Sequence, residues 1–273
     1  MGMKVLVLGA TGMLGHVVHS YLSKKTVRVY GSSRKPQDKL PVYCDLLKAD
    51  TIESAVELGC WDVVINCAGI VTRLVPSVST FDLLAVNGVA PHLINEACIR
   101  SGARLIHIST DCVFSGKKGM YEESDIPDAE DLYGKSKSYG EVRSPGLTIR
   151  TSIIGPEISE EKKGLFEWFR KQTSCFGFTN HIWSGVTTLQ LARTIYSLML
   201  RPEMPRGILH VHSKPISKFD LLVAINEEFN LGIEVVPISL PNGHDKSLIS
   251  HRGDLGVPDI RKQLRDLNEW MKG

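Results

Sequence analysis

No apolar run in these 273 residues approaches the roughly 18 that a membrane-spanning helix needs. The amino-terminal stretch Met1 to Ala10 carries Lys4 inside a short hydrophobic run that ends in a glycine turn, which is not the basic, apolar, small-residue order of a secretion signal. A cytoplasmic protein is expected. The six cysteines (Cys44, Cys60, Cys67, Cys98, Cys112 and Cys175) contain no C-x-x-C pair, which argues against a zinc site or a disulfide framework and predicts buried free thiols for at least five of them. No metal site is expected. Charge of one sign is also scarce. The chain has 32 Lys+Arg against 30 Asp+Glu, and the net +2 is spread along it, so there is no electrostatic footprint for nucleic acid or an anionic membrane. Internal repeats and low-complexity linkers are lacking too.

What is present is an alternation. Continuous apolar runs at Lys4 to Leu8, Val27 to Tyr30, Val42 to Cys44, Trp61 to Cys67, Arg104 to Ser109 and Leu147 to Arg150 read as strands covered on both faces. Between them, Met13 to Lys25, Thr51 to Leu58, Phe81 to Ser101 and Tyr133 to Arg143 show apolar residues at helical spacing. This predicts an α/β fold, a Rossmann-type doubly wound parallel sheet built from residues 1–152. Residues 153–273 are expected to form a small C-terminal substrate-binding lobe, with some elements completing the sheet: a helix over Thr187 to Leu200, a strand over Ile208 to Val211 and a helix over Ser217 to Phe229. The segment Gly155 to Ser184 has no clear periodicity.

Val5-Leu6-Val7-Leu8 runs into Gly9-Ala10-Thr11-Gly12-Met13-Leu14-Gly15 and then a helix, the context in which a glycine pattern becomes a dinucleotide fingerprint. Gly9 permits the turn, Gly12 lets backbone N–H groups approach a pyrophosphate, and Gly15 lets helix and strand pack closely. After Tyr30 the chain offers Gly31-Ser32-Ser33-Arg34-Lys35 in place of the usual strand-end carboxylate. Two hydroxyls and two cations suit a 2′-phosphate, so NADP (NADPH) is the expected cofactor, with NAD as the alternative.

Tyr133 and Lys137 stand four residues apart at the start of a helix and share a face. A phenol titrates near pH 10, and a neighbouring cation such as Lys137 makes it usable in acid–base chemistry at neutral pH. In Ile108-Ser109-Thr110-Asp111-Cys112-Val113-Phe114, Thr110 can place a hydroxyl beside a substrate carbonyl.

With these motifs in this order, and with Asp45-Leu46, Asn66-Cys67-Ala68-Gly69, Val86-Asn87, Gly140-Glu141 and Leu147 to Ser152 beside them, the sequence resembles the extended short-chain dehydrogenases/reductases. It is most similar to the dTDP-4-dehydrorhamnose reductase family of nucleotide-sugar reductases, over roughly residues 3–155 and more loosely beyond. The resemblance implies Thr110, Tyr133 and Lys137 as catalytic hydroxyl, acid and cation, with Asn87 holding the backbone behind the lysine. It implies cofactor contacts at Gly9, Thr11, Gly12, Met13, Leu14, Gly15, Ser32, Ser33, Arg34, Asp45, Leu46, Cys67, Ala68, Gly69, Tyr133 and Lys137. For Asp45 a turn-capping role competes with a cofactor contact.

The implied activity is reduction of a nucleotide-linked 4-keto-6-deoxy sugar by NADPH, with Tyr133 as proton donor and the nucleotide sugar as the only expected partner, apart from a homodimer left open. Two departures from the family pattern stand out. Cys112 replaces an aromatic residue, as in GDP-fucose synthase-like enzymes, where a cysteine works with a histidine, here His181, to epimerise the carbons beside the keto group. The stretch Asn180 to Thr187 lacks the family's proline and carries His181 and Trp183, candidates with Thr110, Asp111 and Cys112 for the substrate site. A bifunctional epimerase-reductase is therefore the first alternative. The second, from another class, is an NADP-binding regulatory subunit like that of methionine adenosyltransferase. Lys214, Lys218, Arg252 and Arg261 are candidates for the substrate diphosphate from charge alone, against a solvated surface role.

Overall fold

Apolar strands without alternation need cover on both faces, and the structure supplies it. The computed structural model describes residues 2–158 and 164–273. Its strands are β1 (Lys4–Leu8), β2 (Arg28–Ser33), β3 (Val42–Tyr43), β4 (Val63–Asn66), β5 (Arg104–Ile108), β6 (Leu147–Arg150), β7 (Ile153–Ile154), β8 (Ser174–Phe178), β9 (His181–Trp183), β10 (Val186–Thr187), β11 (Gly207–His210), β12 (Ile216–Ser217), β13 (Glu234–Ile238) and β14 (His244–Asp245). Its α-helices are α1 (Gly15–Ser23), α2 (Ala49–Glu57), α3 (Thr80–Leu84), α4 (Ala90–Ser101), α5 (Leu132–Tyr139), α6 (Leu165–Phe169), α7 (Thr188–Met199), α8 (Lys218–Phe229) and α9 (Ile260–Lys272).

The main sheet has seven strands in the order β11-β6-β5-β4-β1-β2-β3, all parallel. The chain reverses its direction of travel across the sheet between β1 and β4, and the crevice at their carboxyl ends is where such folds bind ligands. On one face Val5, Val7, Val63, Ile65 and Ile106 pack under Val17, Val18 and Leu22 of α1 and Leu191, Ile195 and Leu198 of α7. On the other, Leu6, Leu8, Val64 and Leu105 meet Ile52 and Val56 of α2 and Ile94, Ala97 and Cys98 of α4. Each fully buried aliphatic side chain contributes about 1.5–3 kcal/mol.

The expected helix over Phe81 to Ser101 is interrupted. Ser79 caps α3 by accepting from Asp82 N at 3.0 Å, a π-helical turn covers Ala85–Val89, and α4 follows. Pro91 is the cause. It has no N–H to give to the carbonyl of Asn87 four residues back, and its ring crowds that oxygen. The wider turn carries Asn87. The expected helix Tyr133 to Arg143 stops early, because a Cβ on Gly140 would stand 1.9 Å from Asn87 O, so the chain crosses the π turn there at backbone contact. Helix α1 likewise starts two residues later than Met13, leaving Thr11 to Leu14 in the turn.

The lobe is built from short sheets that its sequence did not announce: β8 pairs with β13, and β9 lies between β12 and β14. Phe166, Phe169, Trp183, Leu221, Ile225 and Leu264 form its core. Trp183 is 3% exposed. The expectation that it lies in the substrate site is corrected: its indole is lobe core, with Lys218 Nζ 5.2 Å from the ring centre.

Helix α9 ties the lobe to the sheet. Thr187 N donates to Gln263 Oε1 at 2.9 Å, Leu264 enters the lobe core, and Leu267 enters the core under α1 and α7. Replacing Leu264 by Ala removes a fully buried side chain at this junction and is expected to cost about 2–5 kcal/mol, read from urea unfolding. A loss below 1 kcal/mol would show that α9 is loosely held.

Candidate functional site

The glycine turn closes on itself. Gly9 has φ +74°, and a Cβ there would stand 2.8 Å from Ala68, so the turn passes the end of β4 at a distance only glycine allows. A Cβ on Gly15 would fall 2.0 Å from Gly9 O. Gly12 N donates to Gly9 O at 3.0 Å, while the N–H groups of Thr11, Met13 and Leu14 find no acceptor among the described residues. Unsatisfied amides at the start of α1, beside Gly12, whose missing side chain leaves the backbone open to approach, fit a pyrophosphate. Ala68 N donates to Asn66 Oδ1 at 3.1 Å, and Asn66 Nδ2 lies 3.1 Å from His107 Nδ1, which fixes the opposite wall.

At the end of β2 the hydroxyls do not both face outward. Ser32 is 1% exposed, its Oγ 3.4 Å from Gly9 N, so it supports the turn and is not offered to a 2′-phosphate. Ser33 Oγ accepts from Lys35 N at 3.0 Å and donates to the carboxylate of Asp38. Asp38 is a carboxylate that the strand-end reading did not count. Arg34 and Lys35 are exposed at the rim. Asp45 has the capping role: Oδ1 accepts from Leu47 N at 3.2 Å, and Asp45 N reaches Thr51 Oγ1 at 3.0 Å. Leu46 packs against the core under α2 and α4.

Thr110, Tyr133, Lys137 and Asn87 come together at the ends of β5 and α5. Asp131 caps α5 by accepting from Gly134 N at 2.8 Å, which sets Tyr133 in the first turn and Lys137 one turn on. The Tyr133 phenol lies near enough to Thr110 for that hydroxyl to favour its ionised form. Thr110 Oγ1 accepts from Cys112 N and donates to Asp111 Oδ1, each at 3.1 Å. Lys137 Nζ donates to Ile108 O at 2.8 Å, 3.9 Å from where a Gly69 Cβ would stand. Asn87 exchanges two 2.8 Å bonds with the backbone of Ile70 and donates to Ser136 Oγ at 3.2 Å. It pins the β4 exit loop to α5 beside the lysine.

Burial dominates the electrostatics. It pushes the Lys137 ammonium down to about 8, with Glu141 and Cys67 opposing, and pushes the Tyr133 phenol well up, helped by Cys112 and opposed by Thr110. Lys137 is not among the groups that set the phenol; its ammonium is turned to the Ile108 carbonyl. Cys67 and Cys112 are each pushed up to about 12, chiefly by burial. Cys112 feels Asp111 and Lys246, whereas His181 lies against Phe178 and His244, with ring centres 4.6 Å and 5.1 Å away. No hydrogen bond joins Cys112 to His181 among the described residues. Among the described residues no cluster of three His, Cys, Asp or Glu is placed to hold a metal ion.

Behind the site is a feature the motif reading had only in outline. Arg150 is fully buried and forks onto Glu141, Nε to Oε1 and Nη2 to Oε2, both at 2.7 Å. Ser109 Oγ donates to the same Glu141 Oε1 at 2.9 Å, and the guanidinium lies 5.0 Å from the Phe114 ring centre. Of the lysines and arginines offered for a diphosphate, Arg261 pairs with Glu227, Arg252 donates to Arg206 O at 2.8 Å, and Lys214 is exposed. Lys218 is half-buried: desolvation lowers its proton affinity, and Asp111 raises it.

A seven-stranded parallel sheet with a glycine turn at β1 and a Thr–Tyr–Lys group at the ends of β5 and α5 defines a short-chain dehydrogenase/reductase of the extended kind. The model of the RmlD substrate binding domain family matches residues 3–247, and the chain belongs to that family. Methionine adenosyltransferase 2 subunit beta of Danio rerio is 29% identical over 249 residues, 84% of this chain and 74% of that protein. The spore coat polysaccharide biosynthesis protein SpsK of Bacillus subtilis is 28% identical over 265 residues, 91% of this chain and 89% of that one. The dTDP-4-dehydrorhamnose reductase of Bacillus anthracis, solved in complex with NADP, superposes with a TM-score of 0.83 at 21% identity, covering 98% of this chain and 99% of that one.

Glu141→Gln strands the buried Arg150 charge and is expected to cost about 3–5 kcal/mol in urea unfolding. The double variant Glu141→Gln/Arg150→Met, which removes both charges, should recover most of that loss. Equal stability of the single variant and wild type would mean that water reaches the pair.

Proposed function

We propose that the protein reduces a nucleotide-linked 4-keto-6-deoxy sugar with NADPH. The observation that carries this reading is the packing of the first turn of α5, with Tyr133, against the segment just past β5 that carries Thr110, where a Cβ on Gly134 would stand 2.3 Å from Cys112 O, with the Lys137 ammonium buried one helical turn along. When bound, the cofactor supplies the hydride. The orphaned amides of Thr11, Met13 and Leu14 would hold its pyrophosphate, the Cys67-Ala68-Gly69 edge would border its ribose, and exposed Arg34 and Lys35 would meet a 2′-phosphate.

The residues then divide the work. Thr110 turns its proton from Asp111 to the keto oxygen, and Tyr133 gives its own proton to that oxygen as negative charge gathers there. A phenol held well above its usual range by burial stays protonated, which suits a donor. Lys137, which Glu141 helps to keep charged, is held on the Ile108 carbonyl one turn along α5, where it would bond the nicotinamide ribose hydroxyls of the bound cofactor.

The thiol of Cys112, held up at about 12 by burial, supports a structural role over that of an epimerising base. The likeness to methionine adenosyltransferase 2 subunit beta favours one second reading, a protein that binds NADP and serves another protein.

The test is NADPH consumption with dTDP-, UDP-, GDP- and CDP-linked 4-keto sugars. At least one substrate should be turned over, with Tyr133→Phe lowering kcat by about 10²-fold or more. NADPH binding without consumption of any of them would leave the second reading standing. Because Lys137 loses its proton near 8, kcat/KM should fall as pH rises through that value, with no matching loss from the tyrosine on that limb. A profile flat to pH 10 would remove the lysine from this role. Arg34→Ala/Lys35→Ala should weaken NADPH binding by about tenfold or more and leave NADH binding unchanged; equal effects on both would place the two cations away from the 2′-phosphate.

A further inference from the structure

An ion pair joins the sheet to the lobe beside the glycine turn. After β4 the chain passes Ala68, on which Gly9 stands, and Ile70, which Asn87 holds, and then forms a short 3₁₀ helix over Thr72–Ser77. None of the residues of that helix is buried. Arg73 leaves it and reaches the lobe, where its Nη2 stands 2.5 Å from Oε1 of Glu157, just past β7. The arginine side chain keeps 30% of its exposure and the carboxylate side chain 2%.

Glu157 is fixed from the lobe side. Its Oε2 accepts from Gly164 N at 3.2 Å, and its own N–H donates to Glu167 Oε1 at 3.4 Å. No hydrogen-bond donor serves Oε1 among the described residues, so the charge of Arg73 is what offsets its burial. A Cβ on Gly164 would stand 2.8 Å from that same Oε1 and 2.8 Å from Met13 Cε, which sets the carboxylate beside a side chain of the glycine turn. Strands β1 and β4 are neighbours, so the pair runs from the β4 exit to the lobe across the crevice at their carboxyl ends, with Met13 against it. The two ends are held differently. Glu157 is anchored in the lobe, whereas Arg73 stands on an unburied helix and can swing away by rotating its own side chain.

We infer that the Arg73–Glu157 pair is a strap across the cofactor crevice and sets how fast a dinucleotide enters and leaves. A buried carboxylate needs its cation, so the strap is shut in the free protein. A dinucleotide whose pyrophosphate lies on the amides of Thr11, Met13 and Leu14 has the strap on its lobe side, and both entry and exit require Arg73 to let go. The inference needs the crevice to hold a dinucleotide and is independent of the sugar substrate. Arg73 and Glu157 are positioning residues that act on cofactor exchange.

Stopped-flow fluorescence of NADPH with the intact protein, followed on association and on displacement by excess NADP+, tests this without turnover. Arg73→Met alone strands a buried carboxylate and should lower the melting temperature, so the decisive variant is Arg73→Met/Glu157→Gln, which removes both charges. In it association and dissociation should both be faster by about tenfold or more, with Kd changed by less than about threefold, and NADH should respond as NADPH does. Arg73→Lys, which keeps the cation, should hold both rates within about threefold of wild type. Unchanged rates in a folded double variant overturn the inference. Slower association with weaker binding also overturns it, since Arg73 would then be a direct contact of the phosphates, and so does an effect confined to NADPH, since Arg73 would then read the 2′-phosphate. If the rates respond as expected but no keto sugar consumes NADPH, the reductase reading fails and the strap stands.

Discussion

Glu141 and Arg150 come from just beyond α5 and from the end of β6, and neither side chain reaches water. Taking two charges out of water costs several kcal/mol per ion, and the arrangement is tolerable only when the remaining hydrogen-bonding capacity is used. Here the guanidinium forks onto the carboxylate and stacks on Phe114, while the carboxylate also takes the Ser109 hydroxyl. The consequence reaches the chemistry directly. Ser109 precedes Thr110, and α5 carries Tyr133 and Lys137, so one pair sets the strand end and the helix relative to each other. The same carboxylate favours the charged form of Lys137 against its burial. The geometry of the site and the charge of its lysine are both tied to one interaction.

Much of the sheet was legible because parallel strands covered on both faces leave continuous apolar runs, and because crossover helices bury one stripe. Lys4 to Leu8 and Leu147 to Arg150 match their strands end for end. The reading failed where tertiary contact overrides local pattern. The apolar spacing from Phe81 to Ser101 continues through the π turn, and only Pro91, four residues after Asn87, signals that the backbone must widen. Helix α5 ends at Gly140 because another backbone is there, which no periodicity records. The lobe strands are two to five residues long, too short for an alternation to show.

At the site, the residues that needed only a local motif were placed well. The glycine turn and the Tyr133–Lys137 spacing are short-range facts, and the structure brings Thr110 and Asn87 to them. Residues whose role depends on distant segments were not legible. Ser32 turns inward to the glycine turn, Asp38 captures Ser33, and Trp183 is drawn into the lobe core. Arg73 and Glu157 lie far apart in the chain, and nothing in either neighbourhood says that the fold will pair them.

The route of the chain after β6 carries a consequence for synthesis. Helix α7 covers the face of the sheet on which α1 and the glycine turn stand, β11 covers the edge of β6, and Leu267 of α9 closes the same core. A growing chain that has just made Arg150 therefore holds the whole phosphate turn and most of the catalytic group, yet with an open apolar face and an unpaired edge. The cofactor half completes its core and its sheet edge only with residues made after Arg150. Until those residues are made, its apolar face and free edge stay open, the condition in which nascent chains are prone to aggregate.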